Sequence, residues 1–512
     1  MPIDKIIVTN NAALTGKYGA AGLKKIQAAL KKLAAADKKR LLTTEVVYMD
    51  DAAAMKKFKA RPVKSAGDEQ ENKNAIDDLY NFIKPDYIMI LGGPDIVAHQ
   101  VFKAFADDED VHSDLPYTCN KPYSKNPKDF LSPARVAGRL PDVTGVKDVK
   151  YLLGLINTAT AAISRKADEY NDYFALSVAW WQDSTRQSLK NMFGNDTKLK
   201  SCPPQKSPYT DALLKPRVHF FNCHGGEDYP AFFGQLKEGD DTPPCIFSKD
   251  LKGKVTNGTI AASECCFGAQ LLDPADTEDG SMGMGNMYLG EGAYAFVGST
   301  TSAYGPATGQ GLADWITQYF VKNVQRGASA GRAYLEAQQK FITSCGRFID
   351  RFELKTLCQF MLLADPSVNP VIDEALIKAN SNAKSIENKN NNDISERKER
   401  RAQLVAKGNM LGELTNAPQQ IKTTTTPALK KQINAMLNKY DYKIGDGSTD
   451  GFKPKTGPEG TKSIGLSAKD IRFHIFPKVD DKKTNKALSA GTVLVLKEIN
   501  GKITEVREYV RK

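Results

Sequence analysis

The sequence predicts an α/β protein with a layered α/β/α core, in which helices cover both faces of a parallel sheet. Short apolar runs of strand length alternate with segments whose apolar residues recur at helical spacing over most of the chain. Alternation at such short intervals is typical of parallel, layered domains. Near the end, Asn500-Gly501 separates two apolar runs and indicates a β-hairpin, which predicts a small β-rich domain after the core.

The first α/β subdomain is predicted over residues 1–140. A loop rich in Pro, Asp and Lys is expected at about 107–132, shortly before its last strand. From the apolar periodicity we expect strands at 3–9, 44–48, 87–91 and 135–140, and helices at 16–36 and 71–83.

The second subdomain is predicted over residues 141–377. Its pattern repeats that of the first, with a final helical segment before the last strand. The expected elements are a helix from about 148, a strand at 174–180, a helix at 184–193, strands beginning at 218 and 258, a strand at 292–298, a helix at 311–325 and a strand at 360–363.

Residues 378–420 are predicted to be a mobile linker, because Asn and Lys crowd together before a charged, helix-like segment at 394–404. Residues 421–512 are predicted to be a small C-terminal domain whose hairpin strands are 492–499 and 502–510. We expect this domain either to bind a protein partner or to cap the catalytic unit, because nothing in it indicates catalysis.

Two of the strand-like runs end in reactive side chains. The run that begins at residue 218 delivers His224 and Gly225, and the run that begins at residue 258 delivers Cys265 and Cys266. Parallel strands place their carboxyl ends at one edge of a sheet, where α/β folds build their sites. A histidine and a cysteine that are distant in sequence can therefore face each other across a cleft.

This combination of side chains suits nucleophilic catalysis by a thiol. A thiolate is a strong nucleophile, and an adjacent imidazole can accept the thiol proton and return it to a departing amine. Because Gly225 lacks a Cβ, its backbone can approach a bound carbonyl closely. The N–H groups of Gly225 and of the nucleophilic cysteine are therefore candidates for an oxyanion hole.

The motifs resemble a known clan of cysteine peptidases. A strand ending in His-Gly, followed by a strand ending in a small residue, Cys and then Gly, is similar to the signature of the caspase, legumain, clostripain and gingipain clan. Ser263-Glu-Cys-Cys-Phe-Gly268 resembles the gingipain pattern Ser-Glu-Ala-Cys-Tyr-Gly. The resemblance covers roughly residues 1–372, and further similar segments occur in the expected order at Tyr87–Pro94, Val136–Pro141, Ala295–Ser299 and Leu362–Pro366.

The resemblance implies a caspase-gingipain-like core of two subdomains and a cysteine endopeptidase that acts on protein or peptide substrates through an acyl-enzyme. It requires no metal and no cofactor for catalysis. Cys266 is the favoured nucleophile, because Cys265 stands where the family has a small residue and Gly268 follows two positions later. Cys265 is the alternative nucleophile, although Glu264 before it fits the family pattern less well.

The resemblance also suggests which segments line the pocket for the residue before the scissile bond. Asp183, if buried at the base of that pocket, would favour Arg or Lys, whereas Arg186 in that place would favour Asp. The gingipain-like features favour Asp183 and a basic residue. The stretch from Ser302 to Tyr304 is expected to pair with the substrate backbone as an added strand, with Tyr304 as an apolar wall.

Two other functions stay open for the same residues. Cys223-His224 and Cys265-Cys266 together could form a four-ligand zinc site, although successive strand residues point to opposite faces. The chain could also be an inactive caspase-like scaffold that uses its C-terminal domain to bind a partner. Metal analysis and labelling by a thiol-reactive substrate analogue would separate these functions from the peptidase.

The composition limits partners and location. The net charge of +11 comes from dispersed basic residues that alternate with acidic ones, and no nucleic-acid-binding motif accompanies them, so no specific nucleic-acid recognition is expected. The sequence has neither a secretory leader nor an 18-residue apolar run, which predicts a cytoplasmic protein without a membrane anchor. Eight cysteines in 512 residues are expected to be reduced thiols.

Overall fold

A computed structural model describes the following parts of the chain: residues 2–103, 109–306, 308–372, 386–416, 418–420, 425–442, 447–452, 471–478 and 491–512. A central sheet of ten strands organises them. Its strands, in chain order, are β1 (Lys5–Thr9), β2 (Thr44–Tyr48), β3 (Tyr87–Leu91), β4 (Ala137–Leu140), β5 (Tyr173–Val178), β6 (Leu199–Cys202), β7 (Val218–Asn222), β8 (Ile260–Ser263), β9 (Ala295–Ser299) and β10 (Phe360–Ala364).

The sheet consists of two parallel halves that run in opposite directions. The strand order is β2-β1-β3-β4-β10-β9-β8-β7-β5-β6, and every neighbouring pair is parallel except β10 and β9. β7 and β8 are direct neighbours, with Val218 opposite Ile260. Their carboxyl ends therefore meet at one edge, as the sequence predicted for the two reactive motifs.

Helices cover both faces of this sheet, which explains why its inner strands are buried along their whole length, while the edge strands β2 and β6 are only partly buried. The alternation along β8 shows the two faces, because Ala261 packs into one apolar cluster while Ile260 and Ala262 pack into another. The helices are Asn11–Lys39, Ala52–Lys57, Glu69–Ile83, Leu115–Thr118, Lys150–Ala161, Gln182–Phe193, Asp211–Leu214, Met284–Gly290, Ala313–Gln325, Ala330–Cys345, Arg351–Gln359, Ile386–Leu414 and Pro427–Lys439.

Part of the expected linker is a packed helix. Residues 373–385 lie outside the described residues, but Ile386–Leu414 is helical. Leu404 packs with Val136 and Leu335, and a Cβ on Gly408 would press against the backbone of Pro133. The mobile-linker prediction is therefore wrong for this segment, because small and apolar residues at helical spacing let the helix lie against the core.

The hairpin at the end of the chain is confirmed. Thr492–Ile499 and Lys502–Arg511 pair antiparallel, and the turn residues Asn500 and Gly501 both have positive φ angles, 53° and 78°. This is the geometry that an Asn-Gly hairpin turn requires. The hairpin belongs to a six-stranded sheet, whose strands in order are Tyr304–Pro306, Lys502–Arg511, Thr492–Ile499, Ile471–Pro477, Ser448–Phe452 and Gln419–Gln420.

One edge strand of this second sheet, Tyr304–Pro306, comes shortly after β9 in the chain. The second sheet is therefore connected directly to the α/β part of the chain. The described residues also form two smaller sheets. Gln100–Phe102 pairs with Val111–Ser113, and the second of these strands lies within the region predicted as a loop at about 107–132. His224–Gly225, Ala231–Phe233 and Pro244–Phe247 form a three-stranded sheet beyond the end of β7.

One disulfide is present. Cys202 at the end of β6 is bonded to Cys245, while six described cysteines are free and buried. The prediction of reduced thiols is therefore wrong for this pair, which the separation of 43 residues did not reveal. Among the described helices, none combines the length and apolar composition needed to cross a membrane.

Candidate active site

His224 stands just beyond the end of β7, where the chain enters the three-stranded sheet. Its Nε2 lies 2.9 Å from Oε1 of Gln235, and its ring meets the Trp181 ring edge-on at 4.6 Å between centroids. These two contacts fix the plane of the imidazole. Burial lowers the pKa of His224 to about 4, although the hydrogen bond to Gln235 raises it, so the imidazole is neutral at pH 7.

Gly225 is the point of closest approach between the two motifs. A Cβ at this position would overlap the main-chain carbonyl oxygen of Cys266. Only glycine lets the His224-Gly225 backbone lie against the turn that carries the cysteine. The sequence predicted Gly225 as an oxyanion donor; the contact seen here gives the glycine a steric role at the same place.

The two cysteines of the doublet face different surroundings. Cys265 lies in the apolar cluster that also holds Cys223, and its Sγ accepts a hydrogen bond from the Cys223 N–H at 3.2 Å. Cys266 belongs to the opposite cluster, and its Sγ lies 3.1 Å from the N–H of Ala303. The next residue, Phe267, has a φ of 55°, a strained conformation for a bulky side chain that turns the chain sharply after Cys266.

The Cys266 thiol is protonated in this arrangement. Burial raises the pKa of the thiol to about 11, while the nearby Arg511 guanidinium lowers it. The same Arg511 also lowers the pKa of His224, so one guanidinium lies near both side chains. Within the described residues no hydrogen bond joins the imidazole to the thiol.

The end of the last strand lies along the Cys266 turn in the manner of a bound peptide. Tyr304 and Pro306 pair antiparallel with Arg511 and Tyr509, and the Lys512 N–H donates to the Ala303 carbonyl at 2.9 Å. The Cys266 N–H in turn donates to the Lys512 main-chain carbonyl at 3.1 Å. A carbonyl oxygen that accepts from the N–H of a cysteine is the geometry that an oxyanion site needs.

The Lys512 side chain fills a buried acidic pocket. Its Nζ lies 2.7 Å from Oε2 of Glu264 and 2.6 Å from Oδ1 of Asp314, and all three side chains are almost wholly buried. Burial alone lowers the pKa of the ammonium, but Asp314 and Glu264 outweigh it and raise the pKa. Burial and the neighbouring Asp314 raise the pKa of Glu264 well above its usual range.

Two further groups shape this pocket. Thr317 Oγ1 donates to Oε1 of Glu264 at 3.2 Å, and the Gly311 N–H donates to Oδ2 of Asp314 at 3.1 Å. A Cβ on Gly305 would overlap Cε of Lys512, so Gly305 forms the wall along which the lysine side chain passes. The pocket is therefore a narrow slot that ends in two carboxyl groups.

The structure brings some of the predicted binding residues to this cleft and leaves others away from it. Ser302 N–H donates to a carboxylate oxygen of Glu109, and the Tyr304 ring meets Phe352 edge-on at 5.0 Å while its backbone pairs with the last strand. Asp183 is not at the base of a pocket, because its side chain is 99 % exposed on the first turn of Gln182–Phe193.

Arg186 is also outside the cleft. Its Nη1 lies 3.0 Å from Oδ2 of Asp196 at the surface. The buried carboxyl groups that contact Lys512 are instead those of Glu264 and Asp314, which the sequence did not single out. One signal for Glu264 was available, because a carboxylate inside an otherwise apolar strand end is rarely buried without a charged partner.

The described residues offer no set of ligands for the alternative zinc site. In the described part of the chain, no three His, Cys, Asp or Glu side chains are placed to hold one metal ion. Cys223 and Cys265 face each other in one core cluster, whereas Cys266 lies in the other. Comparison with protein-family models and with curated proteins found no match to the chain.

Proposed function

We propose that this protein is a cysteine endopeptidase of the caspase-gingipain type that cleaves after a basic residue, with lysine preferred. The observation that carries the proposal is the peptide-like seating of Lys512: its carbonyl on the Cys266 N–H at 3.1 Å and its ammonium between Glu264 and Asp314. The division of the ten-stranded sheet into two parallel halves supports the two-subdomain arrangement.

The reaction follows from the groups at the cleft. The Cys266 thiol gives its proton to the His224 imidazole as sulfur attacks the substrate carbonyl, and the carbonyl oxygen becomes an oxyanion held by the Cys266 N–H. The C–N bond then breaks, and the imidazolium returns the proton to the leaving amine. Water, deprotonated by the same imidazole, attacks the thioester and releases the acid and the free thiol.

The neutral forms of both groups are consistent with this sequence of steps. The pKa of Cys266 is about 11 and that of His224 about 4 while the cleft is filled, so the proton stays on sulfur. Proton transfer therefore has to accompany attack on the carbonyl, which is the step that the oxyanion site stabilises. Gln235, bonded to Nε2, fixes the ring orientation during the transfer.

A panel of fluorogenic peptides that differ only in the residue before the reporter tests the proposal. We expect Lys peptides to be cleaved best, Arg peptides less well and Asp peptides hardly at all. Cys266→Ala should abolish turnover, and His224→Ala should reduce kcat roughly 10²- to 10⁴-fold. Cys265→Ala is the matched control and should retain activity; loss in this variant but not in Cys266→Ala would reverse the assignment of the nucleophile.

An inactive scaffold is the second candidate, and one observation favours it: within the described residues the imidazole and the thiol share no hydrogen bond. The two candidates respond differently to an acyloxymethyl ketone that carries lysine next to the ketone. A peptidase forms a thioether at Cys266 and loses the carboxylate leaving group, which intact mass and peptide mapping detect. A scaffold stays unmodified at Cys266 after long incubation with excess reagent.

The location and partners stay predictions. A cytoplasmic peptidase acting on protein or peptide substrates is what the sequence favours, and fractionation of the source cells would test it. The Cys202–Cys245 bond is of a kind that persists in oxidising compartments. The C-terminal domain is expected to bind a partner or to cap the catalytic unit.

A further inference from the structure

The cleft described above has an occupant, and that occupant is part of the same chain. We propose that the segment Tyr509–Lys512 is an intramolecular inhibitor of the peptidase, seated as the residues that precede a scissile bond. This inference rests on the proposed function for its meaning as inhibition. The binding of the segment is observed independently of whether the thiol is catalytic.

The first argument is the completeness of the contact. The segment adds a strand to Tyr304–Pro306, its last N–H donates to Ala303, and its last carbonyl accepts from Cys266. β-Strand addition supplies affinity through the main chain and specificity through one side-chain pocket. All of these elements are present here, so the segment uses the surface that a substrate would need.

The second argument concerns charge. Lys512 places an ammonium between two carboxyl groups that are otherwise buried, and each contact is shorter than 2.8 Å. Two buried carboxyl groups without a cation are costly, since their repulsion and desolvation oppose ionisation. The pocket is therefore built to hold a cation, and the chain supplies one.

The third argument is that the preceding part of the strand is anchored firmly. Arg507 Nη1 lies 2.7 Å from Oε1 of Glu353 and 3.2 Å from Oδ2 of Asp350, and the Tyr509 hydroxyl donates to the same Asp350 oxygen at 2.9 Å. These contacts lie outside the pocket. They hold the strand in register, and this fixed position places the Lys512 side chain in the pocket.

The test compares Lys512→Ala with Lys502→Ala, an exposed lysine at the start of the same strand. If the cleft is open in at most about a tenth of wild-type molecules, Lys512→Ala should lower KM for a Lys peptide and raise the rate of Cys266 labelling by roughly tenfold or more, with kcat nearly unchanged. Lys502→Ala should match wild type. Equal KM and labelling rate in wild type and Lys512→Ala would overturn the inference while leaving the peptidase proposal intact.

A second measurement, made on wild type, tests the inference if the Lys512→Ala variant fails to fold. In wild type, hydrogen exchange of residues 502–512 should increase once the lysine acyloxymethyl ketone occupies the cleft, because the probe displaces the strand. Unchanged exchange in the fully labelled protein overturns the inference.

If Cys266 is not labelled in any variant, the peptidase proposal fails. A binding measurement then tests whether the segment occupies the cleft. The probe is then a fluorescent peptide, Tyr-Val-Arg-Lys, measured by polarisation against the Cys266→Ala protein with and without Lys512→Ala. The segment is an occupant of the cleft if the double variant binds this peptide at least about tenfold more tightly than Cys266→Ala alone. Equal affinities mean that it is not.

Discussion

Two glycines decide how closely the backbone approaches other atoms at the cleft. Gly225 lies against the Cys266 carbonyl, and Gly305 lies against the Lys512 side chain. Neither has a positive φ, so each is needed for space rather than for backbone conformation. A Cβ at Gly225 would clash with backbone and push the two motifs apart, whereas a Cβ at Gly305 would clash only with the flexible Lys512 side chain.

Gly305→Ala should close the lysine pocket. The new methyl group would overlap the path of a lysine side chain, so we expect kcat/KM for Lys peptides to fall about 100-fold or more. Gly154→Ala is the matched control, because a Cβ there meets no atom within 4 Å and the residue lies in the helix Lys150–Ala161, which supplies no group to the pocket. Steady-state kinetics of the two variants would check this, and undiminished cleavage after Lys in Gly305→Ala would contradict the pocket assignment.

Among single residues, His224, Gly225 and Cys266 could be proposed from the sequence, because each belongs to a short motif at a strand end. The acidic pocket could not be predicted from the sequence. Asp314 stands 50 positions after Glu264, on the first turn of Ala313–Gln325, and the two meet only through the fold. The prediction for Asp183 rests on its place in a family pattern, and its exposure shows that such a place does not determine whether a side chain is buried.

Individual elements were predictable to the extent that their residues are periodic. β2 and β3 match their predicted bounds, and the Asn-Gly hairpin turn has the expected geometry. One helical segment was predicted before the last strand, and the structure has two, Ala330–Cys345 and Arg351–Gln359. Strand β6 was not predicted, since a short edge strand lacks a clear alternating pattern. The pairing of the last strand with Tyr304–Pro306 could not be read from sequence, because it joins segments about 200 residues apart.

The six-stranded sheet is fastened to the helix Arg351–Gln359 by a buried ion pair. Arg351 donates from Nε and Nη2 to the two carboxylate oxygens of Asp450, at 2.8 and 2.7 Å. Asp450→Ala leaves a buried guanidinium without its carboxylate, and we expect a loss of roughly 3–5 kcal/mol in the free energy of unfolding. Denaturant titration would measure it.

Two controls accompany that measurement. Arg351→Met combined with Asp450→Leu removes both charges and should recover much of the loss. Lys249→Ala breaks a surface pair with Asp279 and should cost less than about 1 kcal/mol. An Asp450→Ala protein as stable as wild type would show that the pair does not fasten the sheet.

At the scale of the whole molecule, the seam between β10 and β9 sends the carboxyl ends of the two half-sheets to opposite edges. Alternating β and α segments predict a parallel sheet, but a reversal between two halves leaves no mark in the periodicity. The candidate site therefore belongs to one half only, that of β7 and β8. The anchoring of the C-terminal strands on this half was equally invisible, because it depends on charged pairs and aromatic contacts between distant segments.

Three buried histidines should each reduce the free energy of unfolding in mild acid. Burial lowers the pKa of His99, His219 and His224 from 6.5 to about 4. A depressed histidine pKa means that the unfolded chain binds more protons, so the stability present above pH 6.5 is lost as pH falls towards 4. From pH 7 to pH 5 each of these groups should remove roughly 2 kcal/mol of unfolding free energy.

Denaturant unfolding at pH 7 and pH 5 measures this loss. His219→Asn removes one of the three groups, away from the cleft, and should make the change in unfolding free energy from pH 7 to pH 5 roughly 2 kcal/mol less destabilising than in wild type. A variant whose change between the two pH values equals that of wild type would contradict the prediction.

The hairpin that ends at Lys512 joins its inhibitor to its target by a covalent tether. A tethered ligand acts at an effective concentration in the millimolar range, which no change in protein concentration alters. A thousandfold dilution should therefore leave the wild-type protein as strongly inhibited as before, whereas a complex between separate chains would dissociate. Release requires either a competing peptide of high affinity or a cut in the chain before the segment Tyr509–Lys512, after which the segment can diffuse away.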